Sequence, residues 1–182
     1  MKVDRQSRIV ITGASGMLGF YLVRKLLSDG YERLVLPLRR TSNLSLLETL
    51  SLDQVEFIQT DLQHVWNWSE ILRPEDTIIH TAATLGFGVS NEQIDKVNRV
   101  WTKTIVDEAI ASHVSRFIYI SSVAALNRMK EGWVTEQDRF DFPEQAGAYG
   151  ESKYKAEKEV WRGEAEGLDV IVFNPSQILG LG

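Results

Sequence analysis

Gly13, Gly16 and Gly19 recur at intervals of three, directly after the apolar run Ile9-Val10-Ile11-Thr12 and directly before a stretch striped with Leu18, Leu22, Leu26 and Leu27. Few folds accommodate that arrangement. A strand that must turn at once into a helix needs residues without Cβ, both to bend sharply and to let the helix lie close against the strand. The same spacing leaves backbone N–H groups bare at the helix N-terminus, where the helix dipole adds partial positive charge, and a pyrophosphate fits there. A tight βα turn with no ligand would use glycine as well. What favours the phosphate reading is the context of first strand, glycines and leucine-striped helix.

The rest of the chain repeats that alternation. β-Branched runs predict strands at Arg8–Thr12, Arg33–Leu38, Val55–Gln59, Thr77–Thr81, Arg116–Ser121 and Leu168–Phe173. Helical periodicity predicts helices starting near Gly16, Asn43, Glu92 and Ala148, with a shorter one near Trp68, and Gly30 reads as the stop of the first. Ile9-Val10-Ile11 and Ile118-Tyr119-Ile120 are nearly continuous apolar runs, as expected of strands covered on both faces. The expected fold class is α/β, a doubly wound parallel sheet forming one domain over residues 1–182. Ligands of such sheets collect beyond the carboxyl ends of the strands.

Composition narrows the function. An apolar content of 43% with 25% charged residues describes an ordinary soluble domain. A net charge of −5 argues against nucleic acid or an anionic membrane as partner. The five tryptophans, Trp66, Trp68, Trp101, Trp133 and Trp161, are scattered without basic runs, so core or interface burial is expected rather than a base-stacking platform. With no cysteine there are no disulfides or thiolate metal sites, no metal is assigned, and a reducing cytoplasm is the expected compartment. No apolar run reaches the roughly 20 residues that span a bilayer.

The candidate site residues all fall at strand ends. Leu38-Arg39-Arg40-Thr41-Ser42 closes the second strand where a carboxylate for a ribose 2′-OH would otherwise stand. Arg39 and Arg40 would instead welcome a 2′-phosphate, although two solvated arginines would look the same. NADP(H) is therefore the preferred cofactor and NAD(H) the alternative. Asp61 could accept from an adenine amino group or simply cap a helix. Thr81, Ala82 and Ala83 are small enough for the backbone to pass close to a cofactor ribose. His80 reads as a packed, hydrogen-bonded histidine. Tyr149 and Lys153, at i and i+4, share one helix face, and an ammonium beside a phenol favours the phenolate. Ser122 could donate to a substrate oxygen, with Ser121 as its competitor on the opposite strand face. A surface Tyr–Lys pair is the plain alternative; the order glycines, Ser, Tyr-x-x-x-Lys, Asn-Pro weakens it.

With these residues together, the chain resembles the extended branch of the short-chain dehydrogenase/reductase superfamily, the NAD-dependent epimerase/dehydratase type with a Rossmann fold. The resemblance rests on Thr12-Gly13-Ala14-Ser15-Gly16-Met17-Leu18-Gly19, Asp61-Leu62, His80-Thr81-Ala82-Ala83, Ser121-Ser122, Tyr149-Gly150-Glu151-Ser152-Lys153 and Asn174-Pro175. It implies catalytic roles for Ser122, Tyr149 and Lys153. It also implies cofactor contacts from Gly13, Ser15, Gly16, Met17, Leu18 and Gly19, from Asp61 and Leu62, and from Tyr149, Lys153, Asn174 and Pro175. One departure is that Arg99-Val100-Trp101-Thr102 follows Asn98 where the family often has Gly-Thr three residues after the asparagine.

Within the branch, Val123-Ala124-Ala125-Leu126 after Ser122 offers no acid for dehydration. The chain thus looks more like the dihydroflavonol reductase-like or 3β-hydroxysteroid dehydrogenase-like members, which implies reduction of a small-molecule carbonyl. A sugar-nucleotide epimerase with tightly bound NAD is the second reading, and a non-catalytic NADP(H)-sensing module a third. Relatives often pair through two helices, here near Asn91–Ser112 and Ala148–Gly163, so a homodimer is one implied assembly. Extended members continue into a C-terminal substrate lobe, mostly absent before Gly182. The expectation is the N-terminal part of a longer enzyme, able to bind cofactor but poor at turnover alone.

Overall fold

A computed structural model describes residues 4–60, 68–85, 88–126, 132–138 and 147–180. Six strands form one sheet: β1 (Ile9–Thr12), β2 (Leu34–Leu38), β3 (Val55–Gln59), β4 (Thr77–His80), β5 (Arg116–Ile120) and β6 (Val170–Phe173). Their order is β3-β2-β1-β4-β5-β6, and every neighbouring pair is parallel. The chain winds outward one way from β1 and then the other from β4, so the switch point lies between those two strands, where Thr12 pairs with His80. All six predicted strands are found, β3 over its full expected range and the others with ends trimmed by one or two residues.

Burial explains the continuous apolar runs. Ile9 and Ile11 of β1 point into a core with Phe20 and Val23, while Val10 points into a second core with Ile105, Val106 and Val160. Helices therefore cover both faces, and β1, β2 and β4 are buried throughout. Each such Val or Ile contributes about 1.5–3 kcal/mol of burial. Pro37 is tolerated in the interior strand β2 because β1–β2 pairing ends at Val10–Val35, two residues earlier, leaving no ladder partner for the N–H that proline lacks.

The first helix, α1 (Met17–Ser28), stops as read at Gly30, whose φ is +80°. Gly30 N–H donates to Leu27 O and Tyr31 N–H to Leu26 O, a Schellman closure. Its buried face differs from the leucine stripe. Gly19, Phe20 and Val23 are buried, Leu22, Leu26 and Leu27 flank them, and Leu18 lines a cleft.

The helix expected from Asn43 is not formed; only a 3₁₀ turn, Leu47–Thr49, appears there. The Asn43 side chain accepts the Ser45 N–H at 3.0 Å, and that local bond competes with helical pairing. The other expected helices are present as α2 (Trp68–Ile71), α3 (Asn91–Asp95), α4 (Trp101–Ala111) and α5 (Gly147–Ala165). Ser90 caps α3, its hydroxyl accepting the Gln93 N–H. Between α3 and α4 lies a π-helical segment, Lys96–Val100, which the periodicity did not predict. Gly163 lets α5 approach α4, since a Cβ there would stand 2.8 Å from Val106 Cγ1.

Two tryptophans lie outside the core. Trp68 and Trp101 are buried, but Trp161 is exposed and Trp133 is 91% exposed in this chain. Trp66 lies outside the described residues. Among the described residues no helix is long and apolar enough to cross a membrane.

Candidate active site

The glycine turn is built as a cradle. Gly13 has φ +75°, and a Cβ on it would stand 2.7 Å from Ala82 N and from Thr81 Oγ1, so β1 can pass the end of β4 only as glycine. A Cβ on Gly19 would lie 2.2 Å from Gly13 O, inside the turn itself. Gly16 is less crowded, with only Gly13 O at 3.3 Å. It is the N-cap of α1, with no side chain capping the helix and no acid in the first turn. The first N–H groups of α1 thus have no side-chain cap and no acid beside them, which suits the pyrophosphate of a dinucleotide.

Two clefts meet over this cradle, one of about 540 Å³ and one of about 500 Å³, and they share Gly13, Gly16, Thr81 and Ala83. The larger runs over β2 and is lined by Ser15, Arg39, Thr41, Ser42 and Asn43, with Trp68 and Trp101 at its side. Arg39 is exposed and lines this cleft; Arg40 is exposed and does not line it. Trp101 stands where the family often has glycine, so the departure after Asn98 puts an indole beside the cleft. Asp61 and Leu62 lie outside the described residues. Thr81 Oγ1 donates to Thr12 O at 2.7 Å, fixing the β4 end, and Ala82 and Ala83 also line the larger cleft.

The second cleft runs over β5 and contains Met17, Leu18, Ser121, Ser122, Tyr149, Lys153 and Pro175. Tyr149 and Lys153 therefore share both a helix face and a cavity with the glycine turn. Lys153 is only 2% exposed. Its ammonium donates to Ile120 O at 2.7 Å and sits 4.2 Å from the Tyr119 ring centroid. Burial pushes its pKa down to about 7, opposed by the nearby Glu157 carboxylate.

The two serines separate cleanly. Ser121 gives its hydroxyl proton to Glu157 Oε2 at 2.7 Å. Ser122 Oγ accepts the Ala124 N–H at 3.1 Å, keeping its own proton for donation. Asn174, expected to border the cofactor, donates from its amide to Ser122 O and Glu157 Oε2, at 3.2 and 3.0 Å.

Two buried polar residues knit the site to its frame. Asn98 Nδ2 donates to Thr84 O and Ser152 Oγ, both at 2.9 Å, and its Oδ1 accepts the Thr84 N–H at 2.8 Å. This clamp joins the β4 extension, the π segment and α5, one turn from Tyr149. A π insertion at a functional site is a recurrent device. His80, fully buried, bridges Thr12 Oγ1 (2.6 Å) and Thr102 Oγ1 (3.0 Å). Thr102 spends its own proton on Asn98 O at 2.6 Å, so it must accept from His80 Nε2–H, leaving Nδ1 to accept from Thr12. Burial pushes the His80 pKa down to about 3, and the ring is a neutral strut, as read.

Sequence reasoning missed Glu157. A glutamate four residues after a helical lysine ordinarily signals a surface pair, and only the ends of β5 and β6 reveal what it holds. It continues the face that carries Tyr149 and Lys153, each at the next i+4 position.

This fold and cleft define a dinucleotide-binding domain of the extended short-chain dehydrogenase/reductase kind. The chain belongs to the NAD dependent epimerase/dehydratase family, whose model matches residues 9–182. It is 31% identical over 172 residues to sterol demethylase protein B of Methylococcus capsulatus, covering 94% of this chain and 51% of that protein. It is 30% identical over 174 residues to a putative dihydroflavonol 4-reductase of Synechocystis, covering 93% and 49%. The crystal structure of gox2253 superposes with a TM-score of 0.82 at 32% identity, covering 93% of this chain and 51% of that one. The chain thus spans about half the length of the relatives it matches.

Proposed function

We propose that this chain carries the cofactor cradle and proton relay of an NADP(H)-dependent oxidoreductase that interconverts a carbonyl and a secondary alcohol. The observation that carries the reading is Lys153, a buried ammonium on the same helix face as Tyr149, opening into the cleft that continues from the glycine turn. A bound nicotinamide supplies or accepts the hydride. In the reducing direction Ser122 donates a hydrogen bond to the carbonyl oxygen and Tyr149 gives that oxygen its phenolic proton. Lys153 favours the phenolate left behind, by its charge. Reversing the proton's path serves oxidation.

Arg39 and the neighbouring Thr41 and Ser42 support NADP(H) over NAD(H), because they offer cationic and hydroxyl donors to a 2′-phosphate. The reaction-side cleft supports an apolar small-molecule substrate. Met17, Leu18, Leu85, Pro175 and Ile178 line it, and Lys153 is its one charged residue among those described. A relative named as a dihydroflavonol reductase agrees with ketone reduction. The test is Tyr149→Phe in the enzyme, with NADPH and a carbonyl substrate found by following NADPH oxidation. Turnover should fall about 10²–10⁴-fold with cofactor affinity unchanged. Unchanged turnover would overturn the mechanism.

A further inference from the structure

Behind the cleft, the Glu157 carboxylate gathers three elements. Its Oε2 accepts from Ser121 Oγ at the end of β5 (2.7 Å) and from Asn174 Nδ2 just past β6 (3.0 Å), and its Oε1 accepts from Trp161 Nε1 on α5 (3.3 Å). Asn174 Nδ2 also donates to Ser122 O, so the carboxylate reaches the backbone of Ser122 through one amide. Glu157 stands one helical turn from Lys153 on the same face of α5.

We propose that Glu157 is a positioning residue of this site, holding Ser122 in place through Ser121 and Asn174 and setting its negative charge beside the Lys153 ammonium. The inference rests on the functional reading above and deepens it. Two features argue against a passive latch. Ser121 and Asn174 share the single oxygen Oε2, so a latch between the strand ends would need only the one acceptor of a neutral amide, yet the residue is a carboxylate. The other groups facing Lys153 give it no formal negative charge. They are Ile120 O and the Tyr119 ring from β5 and neutral His80 from β4, with Tyr149 one turn back on α5 in the same cleft. Glu157 is the one carboxylate acting on Lys153 among the described residues, and it opposes the loss of charge that burial imposes.

The test is an NMR titration of the Lys153 side chain, labelled at Cε, in this chain without cofactor or substrate. Glu157→Gln keeps the size of the side chain and removes its charge; with its oxygen turned to Ser121 and Asn174 it gives up only the exposed bond from Trp161 Nε1. The Lys153 midpoint should move down by about one pH unit, with the thermal midpoint nearly unchanged. An unmoved midpoint overturns the proposal. So does a rise toward the ordinary lysine value of about 10.4, which means the substitution has merely opened the fold to water. If the Gln variant does not fold, Glu157→Asp serves. A shortened but charged side chain should hold the midpoint near the wild-type value, and a fall of about one unit there overturns the proposal equally.

In the enzyme, Glu157→Gln should move the alkaline limb of kcat/KM down by the same amount, because Lys153 loses its charge at lower pH. The titration can fail while Tyr149→Phe still abolishes turnover, and it can succeed while Tyr149→Phe does nothing. Each failure therefore identifies which reading is wrong.

Discussion

The Lys153 ammonium lies 4.2 Å from the centroid of the Tyr119 ring, and that ring stacks on His80 of the neighbouring strand β4, at 5.7 Å and 18° between planes. The Lys153 ammonium thus rests on a buried aromatic pair on the α5 side of β4 and β5. A desolvated cation over such a ring gains about 2 kcal/mol. Tyr119→Phe keeps the ring and should leave stability and Lys153 titration close to wild type. Tyr119→Leu removes both ring contacts and should destabilise the fold by about 2–4 kcal/mol in urea denaturation.

The glycine turn gives a contrast within three residues. Gly19→Ala forces a Cβ to 2.2 Å from Gly13 O, so either α1 moves or the chain fails to fold, and cofactor binding should be lost either way. Gly16→Ala meets only Gly13 O at 3.3 Å and should fold, with Tm within about 4 °C of wild type. Calorimetry on the two variants checks both. Equal Tm values would mean that the close packing of α1 on the turn is not required.

Arg39 and Arg40 should separate when cofactor binding is titrated. Arg39→Ser should weaken NADPH binding about 10–100-fold, the value of one or two charge-assisted hydrogen bonds, and leave NADH nearly unchanged. Arg40→Ser, on a residue that does not line the cleft, should do much less. A site that binds NADH more tightly than NADPH, and ignores both substitutions, would overturn the NADP(H) preference.

His80 makes acid stability a readout of its neutral state. Its folded pKa is about 3 against 6.5 in the unfolded chain. Between these values the unfolded chain binds a proton that the folded chain refuses, so folding is progressively disfavoured as pH falls from 6.5 to 3. The slope from this group approaches about 1.4 kcal/mol per pH unit inside that window and vanishes above it. His80→Gln should be less stable at neutral pH yet show a flatter acid profile, measured by denaturant midpoints from pH 7 to 4.

The sheet was legible in the sequence because strands covered on both faces must be apolar along their whole length, which leaves little ambiguity in Ile9-Val10-Ile11 or Leu34-Val35-Leu36. The cradle was legible because steric exclusion of Cβ leaves glycine as the residue type that fits. Three features were not. Asn43 looks like a helix start, but its side chain takes the Ser45 N–H into a local turn. The π segment at Asn98 depends on a clamp to Thr84 and Ser152, and pairings of that kind leave no periodic trace. The difference between Ser121 and Ser122 depends on Glu157 waiting behind one of them. All three are hydrogen bonds to partners that spacing along the chain does not single out, two of them across long separations.

The two clefts that meet over the glycine turn have four residues in common and otherwise differ, one reaching the β2 wing of the sheet at Arg39 and the other the β5 wing at Ser122. Residues far apart with no shared partners contribute nearly additively to free energy. On the proposed reading, coenzyme preference at Arg39 and chemistry at Ser122 and Tyr149 are therefore separable traits. Selection or a protein engineer can retune one wing without renegotiating the other. Only changes at the hinge of the groove, Gly13, Gly16, Thr81 or Ala83, would be felt by both.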